Sequence, residues 1–374
     1  MEIYDFLSIA CTFQHSKHAE LAANYFVDYL NYINTDILEF CFFLKQNNKS
    51  ELNYIGNFLS QIFEYYSGFV EQLLSVTYID SLTRVGDVHN QGKSTTLVIS
   101  GKEKFILKPV STEMLSILNG IYIFLNNYEN FCFETLDITI LNSNLSKIAY
   151  VENANCENNQ KYAYHWGALL FILTCIRGID FHSENILCSS SIPVIVDCES
   201  LFYPIIFNIK PYDYTATSLL INNTIHFVSY KEEIKSGIEG AYRAVNEAPL
   251  FFIELIKKNY QKRKRMIFKP TRYYFTLLKN STHPKFLLDK EKRKTYLHES
   301  LTGSHFISKT IIDSEVNELM QFDIPYFFHE NNYLYNSKGI LIEQNIIKNS
   351  DEVMLEDVKN LFNFKHNLLT KLGL

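Results

Sequence analysis

Four short polar clusters in this chain of 374 residues hold residue types that could do chemistry together. The first is Gly86-Asp87-Val88-His89-Asn90-Gln91-Gly92-Lys93, a glycine-bracketed loop, followed by a β-rich stretch that ends in Lys108-Pro109. A lysine at a strand end, facing back toward such a loop, offers a point charge that holds phosphate oxygens without reorganising. The second cluster is Gly178-Ile179-Asp180-Phe181-His182-Ser183-Glu184-Asn185, which sets a carboxylate and an amide five residues apart after a strongly apolar run. The third, Val196-Asp197-Cys198-Glu199-Ser200, places Asp197 twelve residues beyond Asn185. Asn185 and Asp197 are oxygen donors of the kind a hard cation such as Mg²⁺ takes. The fourth is basic: six of the nine residues from Lys257 to Arg265 are Lys or Arg. It reads as a phosphate- or acid-binding patch, a solvated helix end or a weak targeting signal. Taken singly, the first two clusters also have plain structural readings, a solvated hairpin lysine and a polar turn that caps a helix.

The elements that must position these residues follow from periodicity. The first 80 residues read as helical. From Ile55 to Leu74 the apolar residues recur at three- and four-residue intervals as one stripe, and Asn47-Asn48-Lys49-Ser50 breaks it from a similar stretch over 18–45. The period changes at Ser94. Ser94 to Ser100 and Lys104 to Lys108 read as a hairpin about Gly101-Lys102-Glu103. Helices are expected from about Thr112 to Leu125 and over 161–177, the latter apolar enough to be buried. Pro193 to Asp197 reads as a strand, and helical signals return near 247–280 and 353–372.

Composition narrows the class. The apolar fraction of 47% and charged fraction of 20% belong to a globular protein. The 29 Phe and 25 Tyr must fill a large core, while 13 Gly and 8 Pro are too few for a linker-rich or many-turned all-β chain. A net charge of -6 speaks against nucleic acid as a partner. The longest apolar window, Trp166 to Ile176, is too short for a membrane span, and the acidic Met1 to Asp5 stretch is unlike a signal peptide. The 7 cysteines are scattered with no C-x-x-C, which fits reduced thiols and a cytoplasmic location. His15 and His18 stand three apart on an expected helix with no third ligand in sight, so they read as surface or core histidines.

The order Lys108, Asp180, Asn185, Asp197 and the spacings among them match the protein-kinase arrangement, in which the Asp accepts a substrate hydroxyl proton and the Asn and second Asp hold Mg²⁺. A closer resemblance follows. The chain resembles the dehydratase domain of class II lanthipeptide synthetases, the LanM type. The shared motifs are G-D-x-H-x-x-G at Gly86 to Gly92, K-P at Lys108-Pro109, G-x-D-x-H-x-E-N at Gly178 to Asn185, and the D-x-E-x-L-F run within Pro193 to Phe202. R-x-x-x-x-P-T follows at Arg265 to Thr271, and D-I-P-x-F at Asp323 to Phe327. These run collinearly over about 81–330, roughly two thirds of the chain.

The resemblance implies an α+β, bilobal kinase-like fold, related to lipid and protein kinases, with an N-terminal helical extension. The expected division is 1–80 for the extension, 81–150 for an N-lobe and 151–374 for a C-lobe. It implies ATP and Mg²⁺ as cofactors and, as partner, a ribosomally made precursor peptide whose Ser and Thr are phosphorylated and then dehydrated. Phosphorylation residues carried over are Lys108, Asp180, His182, Asn185, Asp197 and Glu199. Elimination residues are Asp87, His89, Lys108, Arg265 and Thr271. Two alternatives stay open: a kinase that leaves its phosphate in place, on a peptide, protein or small molecule, and a non-catalytic kinase-fold scaffold. The family's Arg after K-P is Val110 here, and its Gly before D-I-P is Phe322. Nothing after residue 330 offers the zinc ligands of the family's cyclase, so ring formation is expected to fall to a separate cyclase or other maturation enzyme.

Overall fold

The structure is a computed structural model that describes residues 17–128, 131–142, 144–206, 214–220, 227–302, 308–344, 347–348 and 350–374. His15 lies outside these residues. The chain mixes helices with several small sheets. The described residues begin with α1 (Lys17–Ile33), α2 (Asp36–Asn47) and α3 (Lys49–Val76). The expected polar break works as a shared cap: Asn48 ends α2, and its side chain accepts from the Glu51 amide at 3.2 Å, satisfying a donor that the first turn of α3 leaves free. The α3 stripe buries Ile55, Leu59, Ile62, Phe63, Tyr66, Phe69, Val70 and Leu73. Against it α1 lays Phe26, whose ring is 5.0 Å from Tyr66 and 5.6 Å from Phe63.

Five antiparallel strands follow in the order β1-β2-β3-β5-β4: β1 (Ser81–Arg84), β2 (Thr96–Ser100), β3 (Glu103–Lys108), β4 (Ile138–Asn142) and β5 (Leu145–Ala149). The expected hairpin pairs Thr96 with Leu107 and Ser100 with Glu103. Gly101 supplies the left-handed turn at φ 61°. Between β3 and β4 runs α4 (Glu113–Asn126). Strands β1, β4 and β5 escape the sequence reading because each is short and mixes polar with apolar residues.

Helix α5 (Asn159–Cys175) is buried all round from Ala163 to Cys175 apart from Tyr164, as a helix apolar on every face must be. Glycines let it meet α6 (Lys231–Glu247) closely: a methyl on Gly167 would overlap the Ile234 carbonyl, and one on Gly237 the Tyr164 carbonyl. Between them lie the hairpin β6 (Ile186–Ser189) with β7 (Ile192–Ile195), and the short β8 (Ile205–Ile206).

Two sequence expectations change here. The helical signal near 247–280 is two helices, α7 (Pro249–Asn259) and α8 (Thr271–Ser281), split by strand β9 (Lys264–Met266). Pro270 cannot continue a helix, and β9 finds ladder partners in β10 (Phe327–Glu330), pairing Arg265 with Phe328. The signal over 353–372 is likewise two helices, α12 (Ser350–Lys359) and α13 (Leu361–Leu372), parted at Asn360. Helices α9 (Pro284–Leu287), α10 (Lys290–Thr302) and α11 (Lys309–Leu319) precede β10. Strands β11 (Tyr333–Asn336) and β12 (Leu341–Gln344) complete a four-stranded sheet with β9 and β10, and β13 (Ile347–Lys348) pairs with β8.

Two large apolar clusters hold this together. One centres on α5 and includes Trp166, Phe171, Val194, Ile238 and Phe252. The other joins α1 and α3 to Val98, Phe105 and Leu107 of the first sheet and to Tyr274, Leu278, Val316, Phe322 and Ile324. The N-terminal helices therefore share one core with the first sheet and with the segment before β10.

Candidate active site

Lys108 ends β3, and Arg177 and Asp180 lie in the turn after α5. Both turn residues are left-handed, at φ 54° and 74°, a costly backbone state for residues other than glycine that structures keep where the surroundings enforce it. Here they do. The Ile179 amide donates to Ser200 O at 3.0 Å and the Phe181 amide to Thr217 O at 2.9 Å. The Asn185 side-chain NH₂ donates to Asp180 O at 2.7 Å, and the Val196 amide to Asn185 O at 3.0 Å. A methyl on Gly178 would come within 2.7 Å of the Phe181 ring. His182 Nε2 stands 3.6 Å from Asp180 Oδ1 and also contacts the Asn185 amide group, at 3.4 Å.

The charges converge from four parts of the chain. Lys108 Nζ donates to Asp197 Oδ1 and lies 3.0 Å from Glu199 Oε1. Arg265 Nη1 lies 3.5 Å from Glu199 Oε2. Arg265 is put there by the start of β9, whose Arg265 amide donates to Glu199 O at 2.8 Å while Ser200 Oγ donates to Arg265 O at 3.0 Å. Burial opposes the Lys108 charge, but Asp197 and Glu199 outweigh it and hold the ammonium above its ordinary pKa. Burial likewise opposes ionisation of Glu199, yet Lys108 and Arg265 pull its pKa down to about 2. Burial pushes the Asp180 carboxyl above its ordinary value, against the pull of Arg265 and His182.

The glycine-bracketed loop forms the neighbouring side. His89 and Lys93 exchange backbone hydrogen bonds at 2.8 and 2.9 Å. His89 Nδ1 lies 2.6 Å from Ile324 O, and its ring is 5.1 Å from that of Tyr326. The Arg265 guanidinium sits 5.3 Å from the centre of the same Tyr326 ring. Burial and the nearby Arg265 lower the His89 pKa to about 4. The Asp87 charge reaches His89 and Arg265. Thr271 opens α8 directly after Pro270.

One cleft of about 1280 Å³ is lined by all ten residues singled out from the sequence: Asp87, His89, Lys108, Asp180, His182, Asn185, Asp197, Glu199, Arg265 and Thr271. Lys108 shares this cleft with the glycine-bracketed loop, and its immediate partners are Asp197 and Glu199. The sequence reading missed most of the apolar lining, Ile106, Leu136, Ile148 and Leu187, and the cations Arg84 and Arg272, while Arg263 stood in the basic run without a role of its own. Arg263 stacks 3.7 Å from the centre of the Phe328 ring. Within the basic run it has no pattern of its own; only the pairing of β9 with β10 distinguishes it from its neighbours. Asp323, too, stood inside a motif without a role.

Two comparisons with known proteins place the chain among relatives. The family described as a domain of unknown function, DUF4135, matches residues 43–219 and 209–330. The lacticin 481/lactococcin biosynthesis protein LcnDR2 of Lactococcus lactis subsp. lactis is 25% identical over 176 residues, covering 42% of this chain and 18% of that protein. The match thus spans less than a fifth of that relative's length. The chain belongs to the DUF4135 family and is related to the LanM-type lanthipeptide synthetases.

Proposed function

We propose that this chain takes part in lanthipeptide maturation as an ATP- and Mg²⁺-dependent kinase of LanM-dehydratase type. It phosphorylates Ser and Thr of a ribosomally made precursor peptide, then eliminates the phosphate to leave dehydroamino acids. Residues 81–150 and 151–374 serve as the two lobes of a kinase-like unit, with 1–80 as its helical extension. The reaction takes place in the cytoplasm, and a cyclase or other maturation activity completes the product. The observation that carries this reading is one cleft lined together by Lys108, paired with Asp197 and Glu199, and by Asp180, Asn185 and Arg265.

The residues present fit both cofactors. Asn185 spends its NH₂ on Asp180 O, which leaves its side-chain oxygen as a donor to metal. Asp197 supplies a carboxylate. Among the described residues no three His, Cys, Asp or Glu side chains form a metal cage, and Mg²⁺ characteristically takes one or two protein oxygens and completes its shell with phosphates and water. The apolar lining from Ile106, Ile148, Leu187 and Val196 beside these polar groups suits a nucleobase next to its phosphates. When bound, ATP supplies the phosphoryl group and Mg²⁺ offsets charge on its phosphates.

The chain's own residues do the rest. Asp180 accepts the proton of the Ser or Thr hydroxyl, and His182 with Asn185 keeps its loop in place. Lys108, held charged, binds phosphate oxygens. In elimination the Cα proton leaves, the Cα=Cβ bond forms and the Cβ–O bond breaks with departure of phosphate. Lys108 is a poor base because Asp197 and Glu199 keep it protonated. His89 is neutral at pH 7 and is the group able to take the Cα proton. Arg265 and Thr271 meet the departing phosphate.

Turnover with ATP, Mg²⁺ and a Ser/Thr-rich peptide, followed by intact mass, tests the proposal. Loss of one water per modified site is the expected result. A phosphoryl gain that persists makes the protein a kinase only, and no mass change in a peptide shown to bind overturns the reading.

A further inference from the structure

The loop from Gly86 to Gly92 invites comparison with a phosphate cradle. Three successive residues, Asn90, Gln91 and Gly92, have positive φ of 44°, 64° and 82°. Successive backbone amides in a turn can form an anion-binding concavity, a nest. In this molecule an internal anion already fills it. Asp323 is fully buried, and its Oδ2 accepts from the Gln91 amide at 2.6 Å while its Oδ1 accepts from the Gly92 amide at 3.1 Å. The next residue holds the other half of the loop. The Ile324 amide donates to Val88 O at 2.7 Å, and Ile324 O receives His89 Nδ1 at 2.6 Å. Residues 323–324 thus grip the loop at four points, on both sides of His89. The loop cannot shift away easily, since a Cβ at Gly92 would already meet the Tyr66 ring at 2.9 Å.

The grip has a chemical consequence. A carbonyl oxygen only accepts, so the single N–H of a neutral imidazole must sit on Nδ1 to satisfy Ile324 O. Nε2 is then the nitrogen with the free lone pair, on a residue that lines the cleft. We propose that Asp323 is a positioning residue for the elimination step: by occupying the amide nest with its carboxylate it holds His89 in the Nδ1–H tautomer, with Nε2 as the proton acceptor. The role given to Nε2 rests on the function proposed above; the tautomer does not.

Asp323→Asn keeps the side-chain size but offers one acceptor where two amides now use separate oxygens. Two readouts test it. In protein labelled with ¹⁵N-histidine, the His89 signal, assigned by its loss in His89→Gln, is expected to show the Nδ1–H tautomer in the wild type and a mixture in Asp323→Asn. In turnover with ATP and peptide, the ratio of phosphorylated to dehydrated product is expected to rise about tenfold, part of what a positioned base contributes. An unchanged His89 spectrum with an unchanged product ratio overturns the proposal, as does an Nε2–H signal in the wild type. Should Asp323→Asn fail to fold, Gly92→Ala strains the same loop from its other side and is held to the same two outcomes. Wild-type protein that modifies no peptide while keeping the expected His89 signals, lost in the variant, would fail the proposed function and not the clamp.

Discussion

Asp180, His182, Asn185, Asp197 and Glu199 come from twenty consecutive residues. Asp87, His89, Arg265, Thr271 and Asp323 come from three segments far apart in the chain. The first group is shaped by hydrogen bonds to backbone within or next to its own segment, the Asn185 side chain to Asp180 O and the Val196 amide to Asn185 O among them. The second is shaped by packing. Its loop is held by residues 323–324, and Phe322 and Ile324 are embedded in the core that α1 and α3 share with the first sheet. Lys108 stands between the groups, and Glu199 joins them by reaching both Lys108 and Arg265. A step that depends on the first group should survive loosening of the distant core better than one that depends on the second.

The largest expected effect tests the first group alone. Asp180→Asn removes the proposed base and should cost phosphorylation about 10² to 10⁴ in rate, the usual worth of general-base catalysis. Phosphate transfer to peptide near the wild-type rate would remove Asp180 from the mechanism. Arg265→Ala tests the second group. It should slow elimination by about 10² to 10³, the range for losing one donor to developing negative charge, so phosphopeptide accumulates in the mass spectrum. Dehydrated product formed at the normal rate would sever Arg265 from that step.

Lys108→Met tests the junction through stability. It leaves Asp197 and Glu199 without their shared cation. Because the Asp197 side chain is 34% exposed, the cost should sit near about 3 kcal/mol, the low end for a broken buried pair. Urea unfolding at pH 7 measures it, and a variant as stable as the wild type would mean the two carboxylates do not need the Lys108 cation.

The last test separates the groups by sign. Glu199, lowered to about 2 from 4.5, binds its proton more weakly when folded, so its stabilising share is complete above about pH 4.5 and is lost as pH falls toward 2. Near the second group burial does the opposite. Asp323 is raised to about 6 by burial, and Glu318 to about 8 by burial and the Asp323 charge. Both hold their protons more tightly when folded, so the stability they lend at low pH is lost as pH rises through those values. The stability difference between wild type and Glu318→Gln should therefore shift in favour of the variant as pH climbs from 4.5 to 8. Urea midpoints that move the other way would refute the sign.

The same contrast explains which parts of the molecule could be read in advance. The α3 stripe, the hairpin ending at Lys108 and the buried α5 were legible because a single period carries each of them. The loop from Gly178 to Asn185 was legible because its chemistry lies at short fixed spacing. Strand β9 was not, since Lys264 to Met266 becomes a strand only by pairing with β10, some sixty residues later. What sets Arg263 apart within the basic run was unreadable for the same reason. Asp323 was visible as a letter in a motif, but its partners, the Gln91 and Gly92 amides, are backbone groups that no residue type announces.

By itself the sequence determined which functional groups this protein carries, their order, and the local geometry of those joined by a few bonds along the chain. Only the tertiary structure decided that Arg265 meets Glu199, that Lys108 is held charged between two carboxylates, and that the glycine-bracketed loop receives a buried aspartate in its amide nest. The reason is physical. Short-range geometry follows from backbone sterics and periodicity, whereas the meeting of distant side chains is settled when the core closes and each buried charge and amide must find a partner.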